Sequence, residues 1–179
     1  MPATDRKLTM DELGRVAAAD YRPGGRRITV VLDDVRSRHN VGSIFRSADC
    51  FGAERLVLCG FTPLPPHREI EKTALGATLS VPWEHAPDIL PAIADLRSKG
   101  YRVLAVEQTV RALSIEDVAL PADVPVALVF GNELNGVSDA VVAASDACVV
   151  VPQRGSKHSL NVSVCAGIVL HHLAEGGRG

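Results

Sequence analysis

The sequence predicts an α/β fold with a mainly parallel sheet that carries helices on both faces. Uninterrupted apolar runs at residues 28–32 and 126–130 are typical of strands that are buried on both sides, as strands of parallel sheets are. Apolar runs of this kind alternate along the chain with stretches whose apolar residues recur at helical spacing. With 179 residues, 46% of them apolar, the chain has the size and composition of one domain.

The first half of the chain gives three strands and three helices in order. Residues 1–25 are expected to form a short helical extension that begins with a capping box of Thr9 and Glu12. The strand over residues 28–32 ends at an acidic pair, Asp33 and Asp34. The elements expected after it are a helix over residues 39 to about 51, a strand over 55–59, a stiff proline-rich loop over 61–68, a short helix over 69–77 and a weak strand over 80–83.

The second half continues the alternation. It is expected to contain a helix over residues 88–98, strands over 101–106 and 126–130, a helix of small residues from 138, a strand over 149–151 and an apolar last helix. A polar loop precedes that helix, and Ser159 is a candidate for its N-cap. Asn161 and Ser163 are polar residues in its otherwise apolar first turns, so each should have a hydrogen-bond partner.

The acidic pair at the end of the first strand allows a second interpretation, a phosphoacceptor receiver domain. Such a domain also needs an aspartate at the end of a middle strand. The strand over residues 101–106 ends instead in Glu107 and Gln108, so this interpretation is disfavoured. The phosphate-binding patterns GxGxxG and GxxxxGK[ST] are both missing from the sequence, which therefore is not built to bind a pyrophosphate.

Charge and cysteines narrow the class of protein further. A formal net charge of −2 argues against nucleic-acid binding through bulk charge, although arginines are crowded in the first third of the chain. These arginines predict either a phosphate-contacting region or an ordinary solvated surface. Four cysteines lie singly in apolar segments, without metal-ligand or disulfide spacing. We therefore expect a cytoplasmic protein in a reducing compartment, with no metal and no membrane association.

Three stretches resemble the motifs of the SpoU/TrmH class of SPOUT RNA methyltransferases. They are HNVGSIFRSADCFGAERLVLCG at residues 39–60, VFGNELNGVS at 129–138 and SLNVSVCAGIVL at 159–170, in the order that the family has them. The resemblance implies S-adenosylmethionine-dependent methylation of a ribose 2′-hydroxyl in tRNA or rRNA. It also implies one SPOUT domain over residues 1–179 that ends in a trefoil knot, and a homodimer whose interface includes the last helix. A knotted RNA-binding module without activity is the alternative, but such a module would be expected to lose the arginine or the Ser-x-Asn of these motifs, and both are present.

The resemblance further implies roles for single residues. Arg46 occupies the family's catalytic position, where it either activates the 2′-hydroxyl with help from an RNA phosphate or stays protonated and stabilises the alkoxide. Asn40 orders the arginine or contacts the substrate, and its alternative role is that of a helix N-cap. Glu133 lines the catalytic crevice or orients an arginine. Ser159 lies near the substrate, and Asn161 holds the knot or the cofactor loop.

Two larger sets follow from the same resemblance. The first set would bind the cofactor at three strand-end loops, where glycines let the backbone approach the ligand closely; it comprises Phe130, Gly131, Asn132, Gly136, Val151, Pro152, Gln153, Ser159, Leu160 and Asn161. The second set is basic and would contact the RNA backbone; it comprises Arg26, Arg27, Arg36, Arg38, Arg154 and Lys157. For the dimer we expect Val162, Val169 and Leu170 to supply apolar surface.

Overall fold

Seven parallel strands form one sheet in a computed structural model that describes residues 5–9, 11–14, 17, 20 and 25–174. The strands are β1 Ile28–Asp33, β2 Arg55–Cys59, β3 Trp83–Ala86, β4 Arg102–Val106, β5 Leu113–Ser114, β6 Val126–Phe130 and β7 Ala147–Val150. Their spatial order is β3-β2-β1-β6-β4-β7-β5, and every pairing between them is parallel. The predicted parallel sheet is confirmed.

Helices cover both faces of this sheet, as the sequence predicts. They are α1 Arg38–Cys50, α2 Arg68–Ala74, α3 Ala77–Ser80, α4 Ile89–Ser98, α5 Asp139–Ala144 and α6 Val162–Ala174. Successive side chains of a strand point to opposite faces, so Val30 packs in one core with Ile44 of α1 and Leu170 of α6, whereas Val31 packs in the other with Ile93 of α4. None of the helices in the described part of the chain is long and apolar enough to cross a membrane.

The structure corrects two predicted strands and adds one that was not predicted. The weak strand expected over residues 80–83 lies over Trp83–Ala86, because Ser80 ends α3 and its hydroxyl donates a hydrogen bond to the Asp49 carboxylate. β5 was not predicted, since two residues are too few to show a periodic pattern. The last strand covers Ala147–Val150 instead of residues 149–151, and Val151 begins the loop that follows.

Two helix caps also differ from the prediction. Ser37 caps α1, because its side-chain oxygen accepts a hydrogen bond from the Asn40 backbone N–H at 3.3 Å. Asn161 caps α6, because its Oδ1 accepts hydrogen bonds from the Ser163 backbone N–H at 2.9 Å and the Ser163 hydroxyl at 2.7 Å. The cap roles considered for Asn40 and Ser159 are therefore wrong, and the partners predicted for Asn161 and Ser163 are each other.

The capping box predicted near the N-terminus is present. The Glu12 carboxylate accepts a hydrogen bond from the Thr9 backbone N–H at 2.8 Å, and the Thr9 hydroxyl accepts one from the Glu12 backbone N–H at 3.4 Å. Most of the helical extension expected over residues 1–25 lies outside the described residues.

Candidate active site

A cavity of about 700 Å³ opens at the carboxyl ends of β4, β6 and β7. Its volume falls within the range of small-molecule sites, about 300–1,000 Å³. The wall exposes more polar than apolar surface, and its aliphatic and aromatic part consists of Val106, Phe130, Leu134, Val137, Val142, Val149, Val150, Val151, Leu160 and Val162. A planar apolar group can pack against this part of the wall.

The charged groups of this cavity are acidic. Among the described residues, Glu107, Glu133 and Asp139 line it, and no described lysine, arginine or histidine does. A cavity with carboxylates and no cation at its wall disfavours a phosphate-bearing ligand and favours one that carries positive charge.

The cavity brings together the cofactor residues that the sequence predicts. All of them line it except Pro152, which lies exposed in the loop after β7. The loops that follow β6 and β7 therefore meet at one site, as expected for the carboxyl edge of a parallel sheet.

The loop after β6 is closed on itself. Asn132 and Gly136 exchange two backbone hydrogen bonds, with N···O distances of 3.1 and 2.8 Å. The Asn132 side chain accepts hydrogen bonds from the backbone N–H groups of Leu134 and Asn135 and donates one to the Asp34 carbonyl oxygen at 2.7 Å. This loop therefore has a defined shape without any ligand.

At both glycines of that loop, a Cβ atom would collide with the protein itself. A Cβ atom on Gly131 would lie 2.2 Å from the Gly136 carbonyl carbon, so a side chain at this position would collide with the same loop. Gly136 has a φ of +65°, and a Cβ atom there would lie 2.2 Å from Oε2 of Glu107. Close packing within the protein is therefore sufficient to require glycine at both positions, and the predicted approach to a ligand stays a prediction.

Two residues at the end of β4 connect the loops, and the sequence analysis missed them. The Glu107 carboxylate accepts a hydrogen bond from the Val137 backbone N–H at 2.8 Å, which holds the loop after β6. The Gln108 side chain donates to the His158 carbonyl oxygen at 2.6 Å, which holds the loop after β7. Their position as polar residues at the end of an apolar strand could have indicated a role in the site. They were not chosen because they lie outside the three motifs.

A hydrogen-bonded chain joins the three motif regions at the mouth of this cavity. The Glu133 carboxylate accepts hydrogen bonds from the backbone N–H groups of Arg36 and Ser37 and from the Asn40 side-chain amide, each at 2.9 Å. The Asn40 side-chain oxygen accepts a hydrogen bond from the Asn161 amide at 3.1 Å. Partial burial raises the pKa of Glu133, but these donors outweigh it and hold the pKa below its ordinary value. Glu133 is therefore an anion that fixes Asn40 and the start of α1.

Residues 27–171 match the SpoU rRNA Methylase family, and they contain all of the site described above. The chain belongs to this family. It is 31% identical over 149 residues to a putative TrmH family tRNA/rRNA methyltransferase of Staphylococcus haemolyticus, covering 83% of this chain and 59% of the relative. It is 32% identical over 158 residues to an uncharacterized tRNA/rRNA methyltransferase of Archaeoglobus fulgidus, covering 84% of this chain and 66% of the relative. The chain thus spans about three fifths of the length of such relatives.

Solved structures of SpoU-family enzymes have the same fold. The AdoMet-bound rRNA methyltransferase from Sinorhizobium meliloti superposes with a TM-score of 0.78 at 29% identity, over 89% of this chain and 60% of that one. The TrmH/SpoU tRNA modifying enzyme of A. aeolicus gives a TM-score of 0.75 at 27% identity, over 84% of this chain and 77% of that one. The SpoU/TrmH resemblance and the SPOUT-type α/β fold are confirmed, and the trefoil knot itself stays a prediction.

The SpoU catalytic candidate Arg46 lies exposed on α1, two turns beyond Asn40. Within the described part of the chain, its guanidinium makes no hydrogen bond and no ion pair. Ser159 lines the cavity on the loop after β7 and is also exposed. Both side chains are exposed, and of the two only Ser159 lines the cavity.

The structure divides the predicted RNA-contacting residues into two groups. Arg36, Arg38, Arg154 and Lys157 are exposed near the carboxyl edge of this SpoU-family sheet, and Arg38 forms an ion pair with Glu69 at 3.5 Å.

Arg26 and Arg27 precede β1 and lie at the opposite, amino edge. The Arg26 guanidinium donates to the carbonyl oxygens of Leu120, Pro121 and Val124, whereas Arg27 pairs with Glu54 at 3.0 Å. Their position and their partners do not support the predicted RNA contact.

Proposed function

We propose that this protein is an S-adenosylmethionine-dependent RNA methyltransferase that modifies a ribose 2′-hydroxyl of tRNA or rRNA. The observation that supports this most is the series of side-chain hydrogen bonds from Asn161 through Asn40 to Glu133. These bonds join the three family motifs at the mouth of an acidic cavity. Relatives named tRNA/rRNA methyltransferases and an AdoMet-bound structural neighbour support the same activity.

The cavity has the chemistry that S-adenosylmethionine requires. Its apolar wall suits an adenine ring, and the carboxylates of Glu107, Glu133 and Asp139 suit a ligand with a sulfonium and an ammonium group. When bound, this cofactor supplies a methyl group on a positively charged sulfur. The residues we propose to hold it are the predicted set without Pro152, together with Glu107 and Gln108.

The chain's own residues have two tasks in such a reaction. A ribose hydroxyl is a weak nucleophile, so it must be placed in line and its developing negative charge must be stabilised. Asn40 suits the first task, because Glu133 and Asn161 fix its amide and leave a second amide hydrogen for a substrate. Arg46 suits the second task, because it presents a guanidinium from the same helix as Asn40.

The activity can be tested on tRNA and rRNA from a strain that lacks the gene. Incubation with methyl-labelled S-adenosylmethionine should label RNA, and nucleoside mass spectrometry should find the label in a 2′-O-methylated nucleoside. A label in a base would contradict ribose methylation. Calorimetry should show binding of the cofactor or its demethylated product to the folded protein, and its failure would exclude the proposed pocket. RNA binding without any methyl transfer would instead favour the inactive RNA-binding module.

We also propose that the protein is a homodimer that uses α6. The residues predicted to supply the interface need correction, because Val169 and Leu170 are buried in the chain's own core and Val162 packs against that core. Val164 and Ile168 stand one helical turn apart on the outer side of α6, and they are 51% and 40% exposed. Apolar residues that repeat on an exposed helix face are typical of an interface.

Two further proposals follow from this function. RNA and S-adenosylmethionine are both available in the cytosol, so the activity fits a cytoplasmic location, and the free cysteines agree with a reducing compartment. A single SPOUT domain over residues 1–179 accommodates the whole site, since every group described above belongs to one sheet and its helices.

A further inference from the structure

Phe61 is the one largely exposed ring among the Phe, Tyr and Trp side chains that the structure describes. Its side chain is 86% exposed, whereas Phe45, Phe130 and Tyr101 are buried and the remaining rings are partly buried. Phe61 follows β2 closely, at the carboxyl edge of the sheet where the cavity opens. Single exposed apolar residues are common on proteins, so the surroundings of Phe61 must decide whether its exposure has a use.

The backbone around Phe61 is anchored on both sides. The Phe61 N–H donates to Oδ1 of Asp34 at 2.7 Å, and the Gly60 N–H donates to the Ala86 carbonyl oxygen at 3.0 Å. The next residue, Thr62, is buried, and its hydroxyl donates to the Leu32 carbonyl oxygen at 3.1 Å and accepts from the Val35 N–H at 3.2 Å. These contacts fix the main chain at Phe61, so binding to its ring does not have to order the backbone.

The same anchor connects Phe61 to the cavity. The Asp34 side chain accepts a hydrogen bond from the Phe61 N–H, and the Asp34 carbonyl oxygen accepts one from the Asn132 side-chain amide. Asn132 in turn lines the cavity. β2 lies beside β1, and β1 lies beside β6, so strand spacing puts the ends of β2 and β6 about 10 Å apart. That separation suits a nucleotide next to the one whose ribose enters the cavity.

The surface around Phe61 carries charges of both signs. Exposed Arg36 and Arg38 follow β1 and exposed Arg68 begins α2, but Asp34 and Asp88 lie at the same edge and Glu69 pairs with Arg38. An aromatic ring beside arginines is typical of surfaces that stack unpaired bases and contact their phosphates. With a net charge of −2 and carboxylates among these arginines, charge alone gives little affinity for RNA here, and an uncharged contact such as stacking would add to it.

We propose that Phe61 stacks on an unpaired base of the RNA substrate, next to the methylated nucleotide. This inference rests on the proposed function, because it assigns part of the substrate surface of the same enzyme. Every base offers an aromatic face, so Phe61 selects for an unpaired base and not for a particular one. The target ribose therefore lies in a loop or another single-stranded segment of the RNA.

The test uses the whole protein and a short unstructured RNA strand that carries 2-aminopurine, whose fluorescence falls when the base stacks. Phe61→Leu removes the ring and should weaken binding roughly tenfold and abolish the quenching. Phe61→Trp keeps a ring and should retain both. Neither change should alter cofactor affinity in calorimetry or the salt dependence of RNA binding, because neither removes a charge.

Leu79 supplies a matched control. It is 83% exposed on α3, away from the carboxyl edge, and Leu79→Ala should bind and quench like the unmodified protein. The inference is overturned if Phe61→Leu binds and quenches normally, if Phe61→Trp fails as Phe61→Leu does, or if the unmodified protein does not bind the strand. A change in mass of Phe61→Leu in light scattering would also overturn it, since Phe61 would then be a protein interface.

Methyl-transfer assays separate this inference from the proposed function. If the unmodified protein methylates no RNA but still binds and quenches the strand through Phe61, the proposed function fails and the stacking site stands. If the enzyme is active and Phe61→Leu leaves its KM for RNA unchanged, the stacking site alone fails.

Discussion

The side-chain amide of Asn161 donates a hydrogen bond to the side-chain oxygen of Asn40, with 3.1 Å between the two atoms. The two residues are 121 positions apart in the sequence, yet each stands at the beginning of a helix, Asn161 as the cap of α6 and Asn40 in the first turn of α1. Glu133 completes the contact by holding the other side of the Asn40 amide. The loop after β7 is therefore bonded directly to the helix that carries Arg46.

Asn161→Asp tests this connection without removing the helix cap. The aspartate keeps an oxygen for the Ser163 N–H, so the free energy of unfolding should change by less than about 1 kcal/mol. The amide donor to Asn40 is lost, and the new carboxylate repels the Asn40 oxygen, so Asn40 is displaced although Glu133 still accepts its amide hydrogen. Methyl transfer at saturating substrates should fall on the order of 100-fold, as expected for a displaced positioning group. Ser163→Ala is the control, and an unchanged rate in Asn161→Asp would contradict the proposed role.

Gly131→Ala should distort the loop after β6. The new methyl group would lie 2.2 Å from the Gly136 carbonyl carbon, so backbone must move. We expect the free energy of unfolding in urea to fall by about 1–3 kcal/mol, with weaker cofactor binding in calorimetry. Gly155→Ala is a matched control, because no atom lies within 4 Å of the added methyl group. Equal behaviour of the two variants would show that the loop adapts.

The sheet and its helices could be predicted from the sequence because their signals are local. The run of apolar residues in β6 and the helical spacing in α1 hold whatever the rest of the chain does. The caps of α1 and α6 were missed although they are local, since Ser37 and Asn161 bond backbone N–H groups two or three residues on. The contact of Glu133 with the Arg36 N–H could not be predicted, because the two residues are 97 positions apart.

In the candidate site, too, local features could be predicted from the sequence and contacts between remote residues could not. Its residues could be placed near the cavity because they end strands or match family motifs, whereas Glu107 and Gln108 act through contacts with other loops. The collision that requires Gly131 is likewise visible only once the loop is closed. The partners of Arg26 and Arg27 could not be predicted for a related reason, since Leu120, Pro121 and Glu54 lie far from them along the chain.

Ile168→Glu should dissociate the proposed dimer. Ile168 is 40% exposed, so a charge there leaves the fold intact but cannot be buried in an apolar interface without a large penalty. Light scattering should show a dimer for the unmodified protein and a monomer for the variant. Leu90→Glu on α4 alters an equally exposed residue on the other face of the sheet and should leave the mass unchanged. A monomeric unmodified protein would refute the dimer.

Asp33 should make stability depend on pH. Burial, and then the charges of Asp34 and Asp88, raise the pKa of Asp33 to about 6, above its value in the unfolded chain. The folded protein then holds a proton that the unfolded chain has lost between about pH 4 and about pH 6, so stability falls as pH rises through that window.

The loss attributable to Asp33 is on the order of 1 kcal/mol, because Asp33 is half-buried and solvent screens its charge. Asp33→Asn keeps a neutral side chain and should be increasingly more stable than the unmodified protein as pH rises through the window, measured by urea denaturation. Asp123→Asn, on an exposed loop, is the control. A difference between Asp33→Asn and the unmodified protein that stays constant with pH would contradict the assignment.

Arg46 and Arg36 should differ in which kinetic parameter they affect. Arg36 is expected to contact phosphate, so Arg36→Ala should raise the KM for RNA and reduce the salt slope of binding by about one, with little change in the maximal rate. Arg46 is expected to act on the reacting oxygen, and a group that acts in the transition state lowers the maximal rate itself when it is lost. Arg46→Ala should therefore reduce methyl transfer at least roughly 100-fold at saturating RNA and cofactor.

Two further measurements make the assignment of Arg46 specific. Cofactor affinity should stay near that of the unmodified protein, because Arg46 does not line the cavity. Arg46→Lys keeps a positive charge but loses the planar guanidinium, and it should be nearly as inactive as Arg46→Ala if two N–H groups must meet the oxygen and a phosphate together. A lysine variant with substantial activity would mean that charge alone suffices. If additional RNA restored the rate of Arg46→Ala, Arg46 would be a docking contact like Arg36.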